Sequence, residues 1–93
     1  MMPISTKLNK IIVVLNVLHT ERVPLTNEQI RDLANFNSHE DLSFALIDAR
    51  DYFGYVVNNG NRWSLTERGM TFIESYHDST RGIPTIYQFE IIR

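Results

Sequence analysis

Asn59-Gly60 falls between two short β-prone runs, Tyr55-Val56-Val57 and Arg62-Trp63-Ser64-Leu65, and this arrangement constrains the chain more than any other feature. Asn-Gly is a strong hairpin signal, because both residues tolerate the positive φ that a tight, twist-compatible turn needs. The sequence therefore predicts a two-stranded hairpin connected by Asn58-Asn59-Gly60-Asn61. Helical patterns flank it on both sides. Upstream, Leu42, Ala45, Leu46, Ala49 and Phe53 repeat at helical spacing over about residues 39–53, and Gly54 ends the run as a left-handed terminator. Downstream, Thr66 caps a helix to about Tyr76 that turns Phe72, Ile73 and Tyr76 inward. A hairpin held between helices implies an α+β fold.

The N-terminal half reads as two more helices. Ser5 or Thr6 can cap the first, which runs to about Thr20 with Leu8, Ile11, Ile12, Leu15 and Leu18 on one face. Val13, Val14 and Val17 lie off that face, so this helix is apolar nearly all round. The β-branched run also suits a strand, but a periodic segment longer than about ten residues favours helix. Val23-Pro24-Leu25 reads as a short extended edge, since Pro24 cannot donate to a ladder. Thr26-Asn27-Glu28-Gln29 has capping-box spacing and opens a second helix, from Asn27 to about Asn35, with Ile30, Leu33 and Ala34 facing in. Phe36-Asn37-Ser38 forms the turn, and Asn37 or Ser38 caps the helix that follows. Residues 77–84 are turn-rich, and residues 83–92 are apolar and β-prone, which suits an extended tail or strand.

The 93 residues fit one domain, with a core over about residues 5–76 and a C-terminal tail over 77–93. The absence of cysteine excludes disulfides and thiolate zinc sites. The longest apolar run, Ile11 to Leu15, is five residues long. That is far from the roughly 18 residues of a membrane span. Lys7 and Lys10 imitate the start of a signal peptide, but Asn16 breaks the run and no small-residue cleavage site follows, so a cytoplasmic protein is expected. No catalytic constellation emerges. His19, His39 and His77 are scattered, and His19-Thr20-Glu21 lacks the cysteine pair that would complete a zinc deaminase site. His39 beside Glu40 and Asp41 could hold a metal, yet a surface histidine in a polar turn is the better reading. There is no glycine-rich phosphate loop and no nucleophile elbow. A non-enzyme without metal or cofactor is expected.

The order of helix, short strand, helix, helix, two-stranded hairpin and helix resembles the winged helix-turn-helix superfamily. Residues 46–69 carry the likeness: an apolar helix ending in Phe53-Gly54-Tyr55-Val56, a tight hairpin, then Trp63-Ser64-Leu65-Thr66-Glu67-Arg68-Gly69. This segment is similar to regulators of the multiple-antibiotic-resistance and PadR types. The resemblance implies a three-helix core with a two-stranded wing, a fourth helix and an extended tail. It also implies a DNA-binding transcriptional regulator that uses helix 39–53 and wing 55–65, usually as a dimer. Carried over, the candidate base-reading residues are Asn37, Ser38, His39, Ser43, Phe44, Ile47 and Arg50, with Asn58, Asn59, Asn61 and Arg62 on the wing and Arg31 as a further basic contact. The asparagine-rich, cysteine-free composition is also similar to that of small phage and mobile-element proteins.

Charge opposes the DNA reading. The chain has net charge −2, whereas nucleic-acid binders are usually basic. Residues 28–54 hold six carboxylates against Arg31 and Arg50, leaving the helix-turn-helix at −4. Glu40 and Asp41 suit a helix N-terminus, but Asp48 and Asp51 do not. The alternative is a winged-helix module that binds a protein partner through Phe44, Ile47, Asp48 and Asp51. Trp63 is either a stacking anchor or, as favoured, the inward side of a wing strand, and Tyr52, Tyr55 and Tyr87 are read the same way. A first helix without cover for its second face, and the tail Ile86 to Ile92, lack partners of their own. Val13, Val14, Val17, Ile86, Phe89 and Ile91 are therefore candidate dimer contacts, with the tail packing in cis or in trans.

Overall fold

A computed structural model of the chain describes residues 6–36 and 38–79. It is α+β, with four helices and one small antiparallel sheet. Helix α1 (Thr6–Glu21) is followed by β1 (Leu25–Thr26), α2 (Asn27–Ala34), α3 (His39–Asp51), β2 (Val56–Asn59), β3 (Arg62–Leu65) and α4 (Glu67–Ser79). The sheet order is β1-β3-β2, so β3 is central. Leu25 pairs with Trp63, and Val56 to Asn59 pair with Leu65 to Arg62. Among the described residues no helix is long and apolar enough to cross a membrane.

Helix α1 is the hub and packs against α2, α3, α4 and β3. Ile11, Ile12, Val14, Leu15 and Leu18 are all buried, and they meet Ile30, Leu42, Leu46, Val56, Trp63 and Ile73 in one core. The apolar wrap of α1 is thus largely met by the chain's own elements. Val14 has no exposed surface and Val17 packs against the core, so the expectation of an uncovered second face is corrected, and Val14 is withdrawn as a dimer contact. Val13 is half-buried. Ile86, Phe89 and Ile91 lie outside the described residues, as does Tyr87.

The caps follow the local sequence. Thr26 Oγ1 accepts from the Gln29 amide at 3.2 Å while Gln29 Oε1 accepts from the Thr26 amide at 2.9 Å, closing the capping box. Ser38 caps α3, its Oγ accepting from the Asp41 amide at 3.1 Å. Thr66 precedes α4, where its hydroxyl donates to the Gly54 carbonyl at 2.6 Å and accepts from the Gly69 amide at 3.0 Å. One bond therefore ties the end of the α3 segment to the start of α4.

Five details depart from the sequence reading. The hairpin turn is Gly60-Asn61, because Asn59 pairs with Arg62 inside the ladder. Gly60 has φ +70°, the geometry of a turn with glycine at its first central position. Helix α3 ends at Asp51, so the Ala49-to-Phe53 spacing no longer sets direction, and Phe53 is exposed. Tyr52, expected inward, is 81% exposed. Leu33 is 51% exposed, since the short α2 buries only Ile30 fully. Helix α4 continues past Tyr76 to Ser79. His77 meets Asn16 Oδ1 at 2.9 Å and stands edge-on to His19, which holds that last turn against α1.

Candidate functional site

The two faces of α3 differ sharply. Leu42, Ala45, Leu46 and Ala49 are buried, and α3 packs against α1. The opposite face carries Glu40, Phe44, Ile47 and Asp51, all exposed. Phe44 is 60% and Ile47 41% exposed, and Tyr52 extends the same surface at the helix end. Phe44, Asp48 and Tyr52 lie four residues apart, one above another along the helix. Tyr52 keeps right-handed helical angles (φ −90°, ψ −35°), so it stays in that row.

The arginines of this unit are already engaged. Arg50 Nε and Nη2 donate to the two carboxylate oxygens of Asp51 at 2.8 and 3.3 Å. That pairing raises the Arg50 pKa, first through the hydrogen bond, and holds the Asp51 carboxyl below the usual carboxylate range. The Arg50 guanidinium also lies 5.8 Å from the centroid of the Trp63 ring. Trp63 itself is buried, and its Nε1–H donates to Asn27 Oδ1 at 2.6 Å. Arg31 Nη1 meets His39 Nε2 at 2.7 Å.

The remaining candidates divide between the two ends of the unit. Ser38 is spent on its cap, Ser43 is half-buried, and Asn37 lies outside the described residues. On the hairpin, Asn59, Asn61 and Arg62 are exposed. Arg62 makes one long contact, Nη1 to the Pro24 carbonyl at 3.5 Å, and Asn58 Nδ2 donates to the Arg62 carbonyl at 3.4 Å. The structure thus gathers Arg31, Ser38 and His39 around the start of α3. It leaves Asn59, Asn61 and Arg62 at and beside the hairpin turn.

A cleft of about 290 Å³ opens beside α3, lined by Lys10, Asp41, Phe44, Ala45 and Asp48. Lys10 Nζ sits 3.1 Å from Asp41 Oδ2 and neutralises it. Asp48 is half-buried, and among the described residues its carboxylate has no cation within ion-pairing distance. Sequence reasoning missed Lys10 and Tyr52. The four-residue spacing from Phe44 through Asp48 could have found Tyr52, whereas nothing local links Lys10 to Asp41.

Elsewhere, His19 Nε2 lies 3.4 Å from Glu74 Oε2. Among the described residues no group of three or more His, Asp or Glu is arranged to hold a metal ion. No family model matches the chain, and neither a curated protein nor a solved structure matches it.

Proposed function

We propose that this chain is a winged-helix protein-interaction module that presents the outer face of α3 to a basic protein partner. The element order and the three-stranded sheet are compatible with a winged helix, the hairpin β2–β3 being the wing. The observation that carries the functional reading is the exposure of Phe44, Ile47 and Tyr52 on and at the end of a helix whose Glu40 and Asp48 have no cation within ion-pairing distance among the described residues. Exposed aromatic and aliphatic groups are what a protein interface buries at its centre. Negative charge around them selects a positive partner and repels phosphate.

DNA contact through the wing is the second reading, favoured by exposed Asn59, Asn61 and Arg62. Anisotropy of labelled mixed-sequence duplex DNA separates the two. At about 50 mM salt, where phosphate contacts are strong, no binding is expected. Binding that weakens steeply with salt and falls again in Arg62→Ala would replace the protein reading with the DNA one.

A further inference from the structure

Within the proposed docking face, one position has the chemistry of a specific receptor. Asp48 stands in the cleft beside Ala45, with Phe44 one turn before it and Tyr52 one turn after it. Lys10 satisfies Asp41, the other carboxylate of the cleft, but nothing among the described residues satisfies Asp48. Arg50, the nearest arginine in sequence, is bound to Asp51 and lies by Trp63 instead. A half-buried carboxylate between two exposed aromatic residues, on a unit of net charge −4, suits a cation with a flat face.

We infer that Asp48, Phe44 and Tyr52 form a seat for an arginine side chain of the partner. The guanidinium donates to the Asp48 carboxylate in a planar fork while its face lies against an aromatic ring. Lysine fits less well, because its ammonium is a strongly hydrated point charge without a stacking face. The aliphatic part of the arginine lies along Phe44, the exposed apolar wall of the cleft, and Ile47 takes an apolar neighbour from the same partner segment. This inference rests on the protein-interaction reading and names the residue type that reading would bring to α3.

The test uses the full chain and three synthetic amphipathic helical peptides, identical except that their two basic positions are arginine, lysine or citrulline. Backbone amide spectra are followed by NMR during titration. The arginine peptide is expected to shift residues 44–52 saturably and about tenfold more tightly than citrulline, the scale of one charge-assisted hydrogen bond. Asp48→Asn, checked for an unchanged melting temperature, is expected to remove that preference, and Asp51→Asn to preserve it. Equal binding of all three peptides at residues 44–52 would overturn the arginine seat while leaving the docking face standing. No shift at those residues with any peptide would overturn both.

Discussion

Gly69→Ala sets two physical effects against each other. A Cβ at Gly69 would lie 2.0 Å from the Tyr55 carbonyl oxygen, 2.9 Å from its carbon and 3.0 Å from the Tyr55 Cα. Tyr55 is not free to retreat. Its amide donates to the Ala49 carbonyl at 2.8 Å, and its carbonyl accepts from the Thr66 amide at 3.0 Å. Its ring is stacked between Phe53 and Phe72, with centroids 5.1 and 4.6 Å away. Helix propensity alone favours alanine by about 1 kcal/mol. Overpacking costs about 1–3 kcal/mol, and breaking the Thr66–Tyr55 bond costs about 1 kcal/mol more. The net expectation is destabilisation by about 1–3 kcal/mol, with about 4–8 °C lost from Tm for each kcal/mol in a domain of this size. Thermal melts followed by far-UV circular dichroism give the answer, with Ser75→Ala on exposed α4 surface as the propensity control. A Gly69→Ala protein melting at or above the parent temperature would refute the steric argument.

Trp63→Phe keeps a ring in the core but strands Asn27 Oδ1, and urea melts should show a loss of about 1–3 kcal/mol. Thr66→Val removes both the Gly54 and Gly69 hydrogen bonds. It should cost about 1–2 kcal/mol in the same assay, and Thr66→Ser should recover most of it. Tyr52→Ala should leave stability within about 0.5 kcal/mol, because the ring is 81% exposed; a larger loss would show that the ring packs in the core. An NMR titration should find Asp51 below the ordinary aspartate range and restored to it in Arg50→Gln. Its pKa is lower in the folded than the unfolded chain. The pair's contribution is therefore present above the unfolded value and lost as pH falls through the folded one; full exposure keeps it slight.

The elements were legible where their determinants are local. The Thr26–Gln29 box marks the start of α2, and of the two caps the sequence offers for α3, Asn37 and Ser38, the structure uses Ser38; each motif needs only four consecutive residues. Gly54 has the positive φ its type implies, +67°, but it lies three residues past the end of α3, whose C-cap is Tyr52. Errors arose where geometry past an element boundary decides direction. Phe53 continues the spacing of Ala49 in sequence but follows the end of the helix, and Asn59 belongs to the ladder because Gly60 alone supplies the positive φ. The candidate site was half legible. Phe44 and Ile47 follow from helical phase as outward residues, as the structure has them. The capture of Arg50 by its neighbour Asp51 was not legible, since helix pairing rules look three or four residues away. Lys10 with Asp41 and His77 with Asn16 join residues distant in sequence, and only the packing of α1 brings them together.

Strand β1 is only two residues long, yet it makes β3 an inner strand. Leu25 and Trp63 are partners across that seam and are both core residues, so parting the strands uncovers apolar surface from each at once. The hairpin therefore cannot peel away as an independent flap while the helices stay packed. Its opening belongs to the same cooperative event as loss of the core, and amide protons of β3 should exchange with solvent at rates set by global unfolding rather than by fraying. Anything that clamps α1 to α2 would then slow exchange in the hairpin without touching it.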